Sequence, residues 1–189
     1  LPAIGDQDID RISSEVNYML EELSESHTRL QHEAFHDHLT GLGNRRLLLN
    51  ELDNAFQSVK TGTIGHFSLF LMDLDDFKDI NDLYGHLAGD HVIKVIAQRL
   101  GECARRPDLS VRLGGDEFAV LIRSDRKPDT DLLARRLLDA ITRPVIWDGI
   151  ALGVKASIGI VLADASSDAS SNPIDWLRRA DIVMYASKN

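Results

Sequence analysis

The chain has 189 residues, 43% of them apolar and 27% charged, a composition typical of a soluble domain that can bury a core without staples. A single cysteine, Cys103, excludes an internal disulfide framework, and no apolar run approaches the ~20 residues that a bilayer span needs. Thirty acidic against 21 basic residues give a net charge of −9, which argues against nucleic acid as a partner but admits a phosphate ligand held by metal ions.

In chain order, residues 1–36 form the first segment. Ile9, Ile12, Val16, Met19 and Leu23 recur at heptad a/d spacing, Leu30 continues the phase, and Glu15, Glu21 and Glu22 fall on outer positions. This predicts a long helix with an apolar seam, suited to a parallel helical dimer; an amphipathic helix packed on its own domain is the competing reading. Ser26 and Glu33 interrupt the seam. No secretory leader precedes Leu1, so the chain reads as part of a longer protein.

Residues 37–189 read as a second, α/β unit. Asn44 can cap a helix whose apolar face is Leu48, Leu52, Phe56 and Val59. Residues 66–73 are apolar on both faces, as in a central strand, and the polar stretch 75–90 precedes a helix bearing Val92, Ile93, Ile96, Ala97 and Leu100. Strands at 109–113 and 117–122 are joined through Gly114-Gly115. A helix at 131–143, a second hairpin (145–147 with 151–162) around Asp148-Gly149, a loop at 163–172 and a helix at 172–187 complete the order. The expected fold is an α/β (α+β) sandwich with one mixed, largely antiparallel five-stranded sheet flanked by helices.

Two places carry chemistry. Asp73 stands where the apolar strand emerges, with Asp75, Asp76 and Asp79 behind it. Asp116 and Glu117 follow two glycines that leave room for a phosphate, and they enter an apolar strand where acids need compensation by a cation. An acidic turn and a solubilised hairpin tip are the competing structural readings. Acids converging from adjacent strands would hold shared divalent ions, as in two-metal nucleotidyl transfer. The remaining histidines form no metal set by spacing.

The segments Asp37–Arg46 (DHLTGLGNRR), Asp73–Asp90 (DLDDFKDINDLYGHLAGD), Arg112–Phe118 (RLGGDEF), Ser157-Ile-Gly159 and Ala180–Lys188 resemble, in order, the GGDEF family of diguanylate cyclases. The resemblance covers 37–189 and implies a nucleotidyl-cyclase, palm-like fold. It also implies condensation of two GTP into cyclic di-GMP with release of two pyrophosphates. By position, Asp73, the carbonyl of Leu74, Asp116 and Glu117 would hold Mg²⁺ or Mn²⁺, two ions per active site, with Glu117 either a ligand or the base for the 3′-hydroxyl. Asn81 and Asp90 would read guanine, with His86 nearby. Phe77, Lys78, Gly114, Gly115 and Lys188 would meet the phosphates.

The family pattern also implies a homodimer acting through the catalytic faces and the N-terminal helix. It further implies product inhibition at an RxxD site, here Arg105 and Asp108, completed by Arg135 or Arg136. Residues 5–23 resemble the closing helix of a HAMP module, which implies a soluble cytoplasmic domain of an inner-membrane sensor. Gly43 and Ser187 replace the family's usual proline and alanine. The arginine of the family's closing Gly-Arg-Asn segment lies beyond Asn189, which implies weaker GTP binding. The rival class is a catalytically silent module that binds cyclic di-GMP or GTP as a receptor.

Overall fold

The computed structural model describes residues 6–104, 107–167 and 172–188. The chain divides into two compact units between Phe35 and His36. The first contains α1 (Asp6–Phe35), a 30-residue helix. Val16, Met19, Leu23 and Leu30 of the heptad seam are exposed on it; the side chains of Ile9 and Ile12 lie outside the described residues.

The second unit is built on a sheet of order β2-β3-β1-β6. Its strands are β1 (His66–Asp75), β2 (Leu109–Gly114), β3 (Glu117–Ser124) and β6 (Lys155–Asp164). β1 is interior because both of its faces are apolar. Phe67, Leu69 and Leu71 join Leu48, Leu52 and Phe56 of α2 (Arg45–Lys60) and Trp176 and Leu177 of α6 (Pro173–Ser187). Phe70, Met72 and Leu74 point the other way, to Val92, Ile93, Ile96 and Leu100 of α4 (His86–Cys103) and Leu137 and Ile141 of α5 (Thr130–Thr142). The alternation follows from the two-residue period of a strand. Asn44 does cap α2, accepting from the N–H groups of Arg46 and Leu47 at 2.9 and 3.1 Å.

The expected fold class holds, but the five-stranded mixed sheet is corrected. The main sheet has four strands and every strand pair in it is antiparallel; parallel pairing is confined to an isolated bridge, Gly43 to Val111. The second hairpin separates as its own two-stranded sheet, β4 (Val145–Trp147) with β5 (Ile150–Leu152). Asp148 and Gly149 both have positive φ (47° and 78°), which closes a tight turn. β6 then begins only at Lys155, where it pairs with Asp75 of β1.

The polar stretch after β1 is also more ordered than its composition suggests, because it contains α3 (Phe77–Tyr84). None of its residues is fully buried; its short apolar stripe, Phe77 and Ile80, packs only in part against the core and is too brief to stand out in a polar stretch. It lies against α4 at Gly89, where a Cβ would meet Asn81 Oδ1 at 2.1 Å.

Candidate active site

β1 and β3 run side by side with Asp73 directly opposite Glu117, and β6 places Ser157 opposite Asp73 on the other side. Directly opposed residues share a face, so the three form one row. That row continues the Leu71 side of the sheet, the face covered by α2 and α6. The hairpin tip between β2 and β3 needs its glycines: Gly114 and Gly115 have φ of 143° and 54°, and the register slips between Arg112 and Gly114. The tip is anchored to β1 by Leu74 N–H donating to the carbonyl of Asp116 at 3.3 Å. Arg112 holds it from the other side. Its guanidinium donates to the carbonyl of Gly115 at 2.8 and 3.0 Å and to Asp37 Oδ1 at 3.1 Å.

α6 completes the row. Gly159 of β6 lets the helix backbone lie directly on the strand, since a Cβ there would meet the Ala180 carbonyl at 2.1 Å and Met184 N at 2.6 Å. One turn beyond Met184, the Lys188 ammonium lies 2.5 Å from Asp73 Oδ1 and 3.9 Å from Asp75 Oδ1. Asp75 Oδ1 also accepts from Ser157 Oγ at 2.8 Å.

The electrostatics are those of excess negative charge. Burial, then the charges of Asp73, Asp116 and Asp181, push the Glu117 carboxyl above its usual range, against the opposing pull of Arg45. The hydrogen bond to Asp73 raises the Lys188 ammonium; burial opposes this, and the charges of Asp73, Asp75 and Asp116 add to the rise. The carboxylates of Asp73, Asp75, Asp116 and Glu117 are hard oxygen donors of the kind that suits divalent cations such as Mg²⁺ or Mn²⁺. Among the described residues no three His, Cys, Asp or Glu side chains form a metal cluster by themselves.

The guanine-reading candidates lie beyond this row on α3 and α4. Asn81 is half-buried on α3 with its Oδ1 over Gly89, and Asp90 and His86 are exposed on α4. Phe77 and Lys78 open α3, behind Asp76, which is held at φ 57°. Asp90 is the residue next to Gly89, so the close α3–α4 approach brings the two helices' polar residues into one region. A cavity of about 330 Å³ lies on the α2 and α6 side of Glu117, lined by Arg45, Leu113, Arg178 and Asp181 among others. Arg45 and Asp181 were not marked by the sequence as facing Glu117. They come from helix starts and helix faces far from it in the chain, and no local pattern announces the contact.

At the product-site candidates, Arg105 lies outside the described residues. Asp108 accepts from the backbone N–H of Arg123 at 3.1 Å. A cavity of about 540 Å³ beside the end of α4 is lined by Cys103, Arg136, Asp139 and Arg143. Arg135 is exposed on α5.

Residues 34–189 match the family model described as "Diguanylate cyclase, GGDEF domain". An uncharacterized protein of Mycobacterium tuberculosis is 41% identical over 162 residues, covering 85% of this chain and 25% of that protein. Diguanylate cyclase TpbB of Pseudomonas aeruginosa is 34% identical over 197 residues, covering 100% of this chain and 44% of TpbB. The chain thus spans between a quarter and less than half the length of these curated relatives. The crystal structure of the coiled coil and GGDEF domain of DgcB from Caulobacter crescentus, in complex with c-di-GMP, is similar with a TM-score of 0.83. It is 26% identical, with 95% of this chain and 94% of that chain covered. With the family model covering all of the second unit's described residues and the acidic row standing where the GGDEF sequence turns, this chain belongs to the GGDEF domain family of diguanylate cyclases.

Proposed function

We propose that this domain condenses two GTP into cyclic di-GMP and two pyrophosphates. The observation that carries the reading is the pairing of Asp73 with Glu117 on adjacent central strands, with Asp116 tied to the next residue of β1. Mg²⁺ or Mn²⁺ would be held by Asp73, the Leu74 carbonyl, Asp116 and, where it is not the base, Glu117, and would supply Lewis acidity toward the triphosphate. The chain's own groups do the rest. Glu117, raised above the ordinary carboxylate range by burial first and then by its acidic neighbours, is either a further metal ligand or the group that accepts the proton of the 3′-hydroxyl. The released oxygen forms a bond to the α-phosphorus of the other nucleotide, and the bond to pyrophosphate breaks.

Lys188, now on Asp73, and Lys78, exposed at the start of α3, are the cations for the outer phosphates, with the N–H groups at Phe77 and at Gly114 and Gly115 beside them. Asp90 and Asn81 accept from and donate to the edge of guanine, with His86 alongside. Adenine lacks the paired donors that a carboxylate needs, so GTP is preferred over ATP.

One site holds one GTP, so two domains must meet face to face, each nucleotide attacking its twin. The exposed seam of α1 would pair in that homodimer. Cyclic di-GMP would also bind at Arg105 and Asp108 as an inhibitor, with Arg136, which lines the adjacent cavity, favoured over Arg135 as the completing arginine. No described helix is long and apolar enough to cross a membrane. Placement of the domain on the cytoplasmic side of an inner-membrane sensor, below a HAMP module, is part of the same proposal.

Incubation with GTP and Mg²⁺, followed by assay of cyclic di-GMP, tests the reading. Turnover that disappears in Asp116→Ala and loses product inhibition in Arg105→Ala supports both sites. Tight binding of cyclic di-GMP with no turnover would instead make the domain a receptor.

A further inference from the structure

Arg123 stands near the far end of β3, remote from Glu117, and belongs to none of the motif segments. Its side chain is only 12% exposed, yet its guanidinium is spent largely on groups outside its own sheet. Nη1 donates to the carbonyl of Pro107 at 2.6 Å. Nη2 donates to the carboxylate Oε2 of Glu51 on α2 at 2.5 Å and to the Glu51 carbonyl at 3.3 Å. The backbone N–H of the same residue donates to Asp108 Oδ1. Pairing of β2 with β3 starts at Leu109 opposite Leu121, so Asp108 supplies an acceptor to β3 just beyond the end of the ladder. One strand residue therefore grips two consecutive residues of the preceding turn, Pro107 by its side chain and Asp108 by its main chain.

A guanidinium removed from water needs its donors satisfied, and its fork can meet several acceptors in a fixed geometry, whereas an ammonium meets them as a point charge. Glu51 supplies the countercharge from α2, and the Pro107 carbonyl takes the other arm of the fork. The turn is thereby fixed to β3 and α2 together. Asp108 Oδ1 is committed to the backbone, while Oδ2 accepts no hydrogen bond from the described residues.

We propose that Arg123 is a positioning residue for product inhibition. It fixes the Pro107–Asp108 turn so that Asp108 presents Oδ2 to the N–H donors of guanine in cyclic di-GMP. The inference rests on the assignment of Asp108 to the product site. Arg123 lies opposite Phe67, at the other end of β3 from Glu117 and the acidic row, so it sets the affinity for product and not the rate of condensation.

The test measures cyclic di-GMP affinity by calorimetry, and kcat, KM and product inhibition on GTP, in the whole chain. Arg123→Gln is expected to bind cyclic di-GMP about tenfold more weakly, the effect of losing a charge-assisted hydrogen bond, with kcat and KM for GTP unchanged. Arg123→Lys should recover part of that loss. Glu51→Ala, at a half-buried position inside α2 where alanine keeps the helix, should weaken binding in the same direction by a smaller factor. Wild-type affinity in Arg123→Gln would overturn the proposal, as would a parallel loss of GTP turnover, which marks a merely structural role. Absence of cyclic di-GMP binding to the wild-type chain would overturn the product-site assignment beneath it.

Discussion

Glu117 is held among acids in a way that opposes the stability of the domain. Its folded pKa is raised above its usual value of 4.5, so charging it is harder in the folded state than in the unfolded chain. The cost is absent below pH 4.5 and fully developed once the pH passes the folded pKa. Glu117→Gln should therefore raise the melting temperature at pH 7 in metal-free buffer, lose that advantage near pH 4, and lower turnover by orders of magnitude. Thermal melts at the two pH values with a GTP assay check this, and an unchanged or lower melting temperature at pH 7 contradicts it. Lys188 has the opposite sense. Its raised pKa means that its contribution is present through neutral pH and is lost only as the pH climbs above 10.5 through the folded value. Because the pair is partly exposed, Lys188→Met should cost less than about 1 kcal/mol of stability while weakening GTP binding, separable by a melt and a KM measurement. Asp73, Asp116 and Glu117 were legible in the sequence because acids at the mouth of apolar strands are conspicuous there. Arg123 with Glu51, and Arg45 and Asp181 around Glu117, were not, because each pairing joins elements that only tertiary packing brings together.

Among the elements, α6 depends most directly on a single residue. Gly159 leaves no room for a Cβ between β6 and the α6 backbone, and the same close seat carries Lys188 to Asp73. Gly159→Ala should cost about 1–3 kcal/mol as the helix is pushed outward. It should also raise the KM for GTP beyond the effect of Lys188→Met alone, as measured by denaturant unfolding and steady-state kinetics. The Asp37 turn is a second fixed element. Burial alone would raise the Asp37 carboxyl, but hydrogen bonds from Thr40 and Arg112 and the Arg112 charge outweigh it and hold the group below its usual 3.8. Its stabilising contribution is thus present at neutral pH and is lost as the pH falls through the lowered value. The helices and strands with buried stripes were readable from periodicity. α3 was not, because it buries no complete side chain, and the β4–β5 pair was read into the main sheet because the chain leaves it only at Gly153 and Val154.

At the scale of the whole molecule, the proposed condensation would join two nucleotides held by two domains and so make association part of turnover. Specific activity should rise with protein concentration, and removal of residues 1–35 should shift the half-maximal point to higher concentration without changing the plateau. Turnover against concentration, with sedimentation on the same samples, checks both; activity independent of concentration in a monomeric sample contradicts them. The division of the chain at Phe35 leaves the α/β unit with its own core on both faces of the sheet, so the shortened domain should fold. The central claim is that the acidic row across β1 and β3 makes cyclic di-GMP. Chromatographic quantitation of products from GTP and Mg²⁺, comparing the chain with Asp116→Asn, tests it most directly. The expected result is one cyclic di-GMP for every two pyrophosphates from the wild type and none from the variant. Equal product from both, or untouched GTP in a dimeric wild type, would contradict it.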